Sequence, residues 1–458
     1  MRTATTILTG AFMALLAVPV AAVQGSNGSG PGTSPADTGS VKASSAALVP
    51  AITIQHIRPA DQRGINVFEP PKDDATPFQG FRIDFGGAFT TQFQSMTHSN
   101  RAAPNVVDGV NVNELADIGW GVNLPTANLA MNAQLAPGIR VALEAYLSSR
   151  HHQEAWVKGG YMQIDASPID HWALNKLFEV LTVKVGMFNL NYGDAHFRRS
   201  DNGNALYNPF VGNLILDAFT FEPGAEIYLR YKDFLAMGGV TTGVNKGEVT
   251  NPDARSPGFL AKIGFDRQVN DALRVRLTGS LYDIDKSPSA TLFWGDRAGS
   301  RYYMVMENTQ ASVTSQAWSG LINPNFRNEI RAIQINPFVK YGGLELFGVI
   351  EQADGRAATE PETRRFNQYA ADVVYRFLEG EKLYVGARYN NVEGELPIAG
   401  QNYDVKVDRW QFGAGWFVTP TILLKGEYAR QRYLDFPAND IRHGGKFSGV
   451  VFEGVVSF

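Results

Sequence analysis

The chain has 458 residues, a formal net charge of -4 and no cysteine. Without thiols, thiolate catalysis, Cys–zinc centres and disulfide scaffolds are excluded, and the slight acidic excess argues against a nucleic-acid partner. With 46 glycines, 28 phenylalanines, 17 tyrosines and only 19% charged residues, the composition favours strands joined by tight turns over charged amphipathic helices.

At the N-terminus Arg2 precedes the apolar run ILTGAFMALLAVPVAA, which ends on small residues. This order of one cation, a short apolar run and a small-residue end predicts a secretory signal over residues 1–22, cleaved after Ala22. The run is short for a membrane anchor. Residues 23–50, which open VQGSNGSGPGTSPADTGSVKASSAA, lack the apolar content to fold and read as a disordered leader. Residues 51–77 hold a short strand and an Arg/Asp-rich turn before Pro70-Pro71. They either dock beneath the remainder of the chain as a periplasmic extension or serve as a tether.

Beyond residue 77 no apolar run is long enough for a membrane helix. A soluble exported protein remains open, as does a membrane barrel, whose strands are apolar only at alternate positions. In FRIDFGGAFTTQF one face carries Phe81, Ile83, Phe85, Gly87, Phe89, Thr91 and Phe93, and the other Arg82, Asp84, Gly86, Ala88, Thr90 and Gln92. In DRWQFGAGWFV, Trp410, Phe412, Ala414, Trp416 and Val418 oppose Arg409, Gln411, Gly413 and Gly415. EKLYVGARYN repeats the pattern, with Leu383, Val385, Ala387 and Tyr389 against Lys382, Tyr384, Gly386 and Arg388. One face suits lipid and the other water.

The connections carry a second signal. Tight links at 135–138, 232–234, 267–272, 341–343, 378–381 and 419–421 alternate with longer polar ones near 99–118, 194–216, 248–256, 286–327, 355–364, 395–404 and 436–446. A sandwich spreads loop length over both ends, whereas an outer-membrane barrel has tight turns on one side and long loops on the other. Between these connections the strands fall at 81–98, 119–135, 138–150, 155–165, 181–193, 217–232, 235–247, 257–267, 272–285, 328–341, 344–354, 365–377, 382–394, 405–418, 421–435 and 447–458, which makes sixteen. An even count returns both termini to one side, and sixteen strands enclose an aqueous lumen. A hairpin at 301–316 would raise the count to eighteen. The fold class is all-β, a transmembrane antiparallel barrel of about sixteen strands over 78–458.

Two segments break the pattern. SPIDHWALNKLFEV (167–180) predicts a helix capped by Ser167 with Pro168 at its first position, either plugging the turn region, serving as an assembly contact or simply packing. Adjacent His151 and His152 would point to opposite faces of a strand, so they read as exposed loop residues and not as a metal site.

The chain ends VVFEGVVSF. Val450, Phe452, Gly454, Val456 and Phe458 share one face and Val451, Glu453, Val455 and Ser457 the other, which makes the last residue a lipid-facing girdle position. This ending resembles the C-terminal signature of Gram-negative outer-membrane proteins, and the resemblance implies that Phe458 is read by the barrel-assembly machinery. With GVNLPTANLAMNAQLAPGIRVALEAYLSSRHH and VGMFNLNYGD added to the signal, leader and strand rhythm, residues 78–458 resemble a porin of the general or phosphate-selective type. The resemblance implies a passive diffusion channel for small hydrophilic solutes or ions in the cell outer membrane. It would contact outer-membrane lipids, form a homotrimer as porins of that layout do, and use no cofactor or metal.

The same resemblance places 194–216, DAHFRRSDNGNALYNPFVGNLIL, inside the lumen as the third loop and constriction. There Arg198 and Arg199 with Asp194 and Asp201 would set opposed charges across a narrowed channel. The bland alternative is a solvated loop with local ion pairs. Alternation assigns Arg140, Glu144, Lys184, Arg230, Lys262, Arg276, Lys340, Arg376, Arg388, Arg409, Lys425 and Glu427 to the lumen wall, where cations outnumber acids and point toward anions. The rival from another class is an outer-membrane enzyme of phospholipase or protease type, which needs a positioned nucleophile and base. His98, His151, His152 and His196 could supply the base, but no motif gathers them with Ser or Asp. A secreted soluble β protein would have to bury Trp410, Phe412 and Trp416 under a second sheet.

Overall fold

The computed structural model describes residues 51–458 apart from 74, 149–153, 248, 297–299 and 315–317. The expected signal and leader, with His151 and His152, lie outside the described residues. Sixteen strands form the wall: β1 Arg82–Ser99, β2 Thr126–Ala136, β3 Ile139–Ser148, β4 Glu154–Ile164, β5 Leu181–Asn189, β6 Phe221–Tyr231, β7 Phe234–Thr241, β8 Gly258–Gln268, β9 Leu273–Ile284, β10 Glu329–Tyr341, β11 Leu344–Arg356, β12 Arg364–Phe377, β13 Leu383–Ile398, β14 Gln401–Thr419, β15 Ile422–Leu434 and β16 Lys446–Ser457. The short piece Trp120–Val122 pairs with β1 in line with β2 and continues it past an interruption. Every strand pairs antiparallel with the one before it. β16 returns to β1 in a register running from Ala88 opposite Ser457 to Ser99 opposite Lys446, so the sheet closes and has no free edge.

Burial along the strands is the reverse of a soluble protein's. Phe85 and Trp120 are each 78% exposed on the outer face, while Gln92, Asn336, Asn390, Gln411 and Gln431 are buried within. A wall apolar outside and polar inside suits hydrocarbon around it and water within. The chain's end follows the same alternation. Val451, Glu453, Val455 and Ser457 are buried, Phe458 is exposed, and its backbone N–H and C=O pair with Gly87 at 2.9 and 2.8 Å. The final residue therefore completes the seam between last strand and first.

Tight turns cluster at one end. At Gly138 a left-handed φ of +65° coincides with a close approach, since a Cβ there would lie 2.6 Å from the Ala166 side chain. Three local expectations change. The long connection near 395–404 is instead the two-residue turn Ala399-Gly400 between β13 and β14, with φ of 49° and 81°, both left-handed as a primed hairpin turn requires. Residues 301–314 form no hairpin; Tyr302, Tyr303 and Val305 are buried inside the barrel, and the count stays at sixteen. The helix, α1, spans only Trp172–Phe178. Ser167 closes a local turn with Ile169 instead of capping it, a competition that serine side chains often win outside helices.

Candidate functional site in the lumen

The connection from β5 to β6, residues 190–220, crosses the lumen, and inward-facing side chains of the wall satisfy its backbone. Asn191 N–H donates to Glu226 (3.0 Å), Asp194 N–H to Asn336 (2.8 Å), Gly203 N–H to Asn128 (2.8 Å), Val211 N–H to Glu427 (2.8 Å) and Ile215 N–H to Asn390 (2.7 Å). Lys425 Nζ donates to the carbonyls of Ala205 and Phe210, both at 2.8 Å. A loop without regular structure can be buried only when its polar backbone finds such partners. Its Phe210, Val211, Leu214 and Ile215 are buried with it, against wall residues such as Phe347, Tyr384 and Val407.

Residues 51–73 also lie within the barrel, at the short-turn end. Phe68 is buried edge-on to Phe197 and Phe338, with ring centroids 5.9 and 5.3 Å away. Asn66 donates to Glu345 (2.6 Å), Glu69 accepts from Arg276 (2.8 Å), and Gln62 N–H reaches the Pro420 carbonyl (2.8 Å). On the other side Gln55 N–H bonds Gln134 (2.8 Å) and Lys72 donates to the Leu181 carbonyl (2.6 Å). The segment is thus a strap across the mouth that touches the third connection through Arg58, whose guanidinium donates to the Phe197 carbonyl (3.0 Å).

The four charges expected at a constriction fall into two groups. Asp194 is fully buried between Lys262 (2.7 Å) and Arg276 (2.8 Å), and Arg198 is buried against Glu345 (3.4 Å) and Asn66. Both are neutralised in packed surroundings away from open space. Arg199 and Asp201 do border a cavity, although Arg199 is held by Asp217 (2.6 Å) and Asp201 by Lys158. The wall residues read from alternation all face inward. Arg376 pairs with Glu345 (2.6 Å), Arg388 with Asp372 (2.6 Å), Lys425 with Glu453 (2.8 Å), Lys340 with Glu381 (2.7 Å) and Lys184 with Glu226 (3.5 Å). Glu427 accepts from Tyr302 (2.5 Å), Glu144 accepts from Asn128 (2.6 Å), Arg409 donates to Gln431 (2.6 Å), Arg140 to Gln163 (2.8 Å), and Arg230 to the Pro70 carbonyl.

At the short-turn end about 1030 Å³ lies open between the strap and β5–β9, bordered by Lys72, Asp165, Arg230, Asp266 and Arg276. A cavity of about 710 Å³ lies between the strap, the third connection and the wall of β1–β6, where the lining includes Gly86, Ala88, Ala130, Ala142 and Gly159. A second, of about 180 Å³, lies further toward the long-loop end, lined by Tyr146, Trp156, Lys158, Trp294 and Trp318. Phe219 and Phe221 border both. At this junction the Lys158 ammonium lies 4.6–5.3 Å from the ring centroids of Tyr146, Phe219 and Phe221, pairs with Asp201, and is 3.6 Å from Glu144. Lys158 is absent from the inward set read from the sequence. Its signal is there in AWVKGGYMQI, where it is the charged residue on the inward face of β4. His98 and His196, the described histidines an enzyme could use as base, are engaged by backbone: His98 by Ala116 (2.7 Å) and Met306 (2.9 Å), His196 by Tyr192 (3.3 Å).

A closed wall of sixteen strands, apolar outside and polar within, with its third long connection folded into the lumen, decides the fold. It is a porin-like β-barrel. No protein-family model and no curated protein matches the chain. Among solved structures it is similar to the outer-membrane channel DcaP of Acinetobacter baumannii (12% identity, 83% of this chain and 98% of that one, TM-score 0.49). It is also similar to an anion-selective porin from Comamonas acidovorans (13% identity, 82% and 100%, TM-score 0.48) and to the trimer form of OmpT, an outer-membrane protein of Vibrio cholerae (11%, 83% and 100%, TM-score 0.48).

Proposed function

We propose that the protein is an outer-membrane channel passing small hydrophilic solutes or ions by passive diffusion, exported by its N-terminal signal, assembled through Phe458, and without catalytic activity. What supports this most is the pairing of a lipid-suited exterior with a lumen that keeps two adjoining cavities along β1–β6. On this reading the short-turn end faces the periplasm and the long loops face outward. The constriction, on this reading, is the junction at Lys158 and Asp201, where opposed charges meet between the two cavities and act on a passing ion. A homotrimer in the outer membrane is part of the same proposal, and chemical cross-linking of detergent-extracted protein would read it.

The test is conductance in planar lipid bilayers under a salt gradient. Discrete current steps are expected from protein that migrates differently on SDS gels before and after boiling. Protein that shows this heat-dependent shift, inserts, and never conducts would overturn the channel.

A further inference from the structure

We infer that the cavity between the strap and the β1–β6 wall is a binding site for small organic anions carrying a carboxylate or phosphate group. The inference rests on the channel reading and names the solute class it favours. It begins with charge. Each carboxylate bordering the cavity has a cation beside it: Asp61 has Arg63 (2.6 Å), Glu69 has Arg276 (2.8 Å) and Lys262 (3.0 Å), Asp84 has Arg82 (2.8 Å), and Glu144 and Asp201 share Lys158. The cations are not matched in the same way. Among the described residues, Arg58, Arg140 and Arg230 have no carboxylate within ion-pair distance and donate only to neutral oxygens, those of Gly64 and Phe197, of Gln163, and of Pro70. The Nε atoms of Arg140 and Arg230 are buried without any hydrogen-bond partner.

A guanidinium removed from water without a counter-charge is costly, so three around one space favour an anion supplied from outside. The layout suits an oxyanion. Arg140, Gln163 and Lys184 stand directly opposite one another across β3, β4 and β5, and the Arg140 and Lys184 cations flank the Tyr161 ring at 5.5 and 4.7 Å from its centroid. Guanidinium forks match the two oxygens of a carboxylate or phosphate, and the ammonium adds a point charge. Ala130 and Ala142 leave the space free above this row, and about 710 Å³ holds a solute the size of a sugar phosphate or dicarboxylate together with water. Arg409 shows what a filled counterpart looks like. It too lacks a carboxylate, but Gln431 and the carbonyls of Asn213 and Gly320 take its donors, and the space beside it is only about 10 Å³.

The test uses the full-length protein with succinate and inorganic phosphate as probes and glucose as the neutral control. Both anions should reduce chloride current saturably and bind the detergent-solubilised protein in calorimetry with matching midpoints, while glucose does neither. The variant Arg140→Gln plus Lys184→Gln plus Arg230→Gln should raise the midpoint by about tenfold or more. Ala142→Glu should do the same with every cation retained, by placing a competing carboxylate beside Arg140, so the outcome does not hang on whether the triple variant assembles. A channel that conducts and shows no saturable effect of either anion, or whose midpoint is unmoved in assembled Ala142→Glu, overturns the site and leaves the channel standing. Calorimetric binding without any conductance would instead fail the channel and keep the site.

Discussion

The two sides of the lumen obey one sequence rule and end differently. Along β10–β16 the inward cations Arg376, Arg388 and Lys425 each meet a buried carboxylate, Arg409 has its donors taken by Gln431 and two carbonyls, and apolar residues of the third connection and of 300–314 pack beside them. Along β1–β6 the inward positions include Ala88, Ala130, Ala142 and Gly159, the third connection touches the wall through Asn191 and 201–203, and Arg140 and Arg230 have no carboxylate within ion-pair distance. Strand number sets how wide the wall can be. How much of that width stays open is decided by which face the connections are stitched to, and here more of the stitches lie on one side.

The contrast is most exposed to test at Glu453. This fully buried carboxylate is shared by Lys425 and Arg301, so Glu453→Ala would leave two cations buried without an acid. Removing one partner of a buried pair costs about 3–5 kcal/mol. The variant should lose its heat-resistant form at clearly lower temperature on SDS gels, or fail to assemble. Parental behaviour would mean that the packed side is not held by its charges.

Filling the open side should do the opposite. Ala142→Trp projects into the cavity, where no packed neighbour has to move, so stability should change by less than about 1 kcal/mol. Single-channel conductance should fall by roughly half or more, because the ring would stand in the course that ions take. An unchanged conductance would place the route elsewhere.

Much of this is legible in the sequence for a physical reason. Strand alternation is a local property, set by lipid on one face and water on the other, and it survives without knowledge of partners; hence sixteen strands and the inward set from Arg140 to Glu427 can be read directly. The fate of those inward charges cannot. Whether Arg198 borders a channel or is buried beside Glu345 and Asn66 depends on residues 147 and 132 positions away, and no periodicity encodes such pairing. The strap is hidden for the same reason. Phe68 and Glu69 sit beside Pro70-Pro71 in a stretch that looks like a tether until Phe338 and Arg276 are seen to receive them. Likewise β5 stops at Asn189, short of the expected 193, because tertiary hydrogen bonds such as that from Asn191 N–H to Glu226, and not propensity, choose its end.

The smallest effect concerns the long-loop end, where the β1–β2 connection and residues 300–314 join as a cap held by Glu307: its backbone carbonyl accepts from Ala116 N–H (3.0 Å) and its carboxyl from Ser319 (2.9 Å). Burial pushes this carboxyl up to about 7, with the bonds from Ser319 and the Trp318 backbone opposing the shift. A raised carboxyl favours its neutral form in the closed cap, so the cap's stability is fully present below the ordinary carboxylate value and is lost as pH rises toward and through about 7. Opening of 300–314 should therefore increase by roughly tenfold or more between about pH 5 and about pH 8, read as faster hydrogen exchange in that segment. Glu307→Gln keeps an acceptor for Ser319 and has no proton to lose, so its exchange should stay flat apart from the intrinsic chemical rate. Exchange in the parent that is equally flat, or a glutamine variant with the same pH rise, would move the switch to another group and leave Glu307 a plain structural contact.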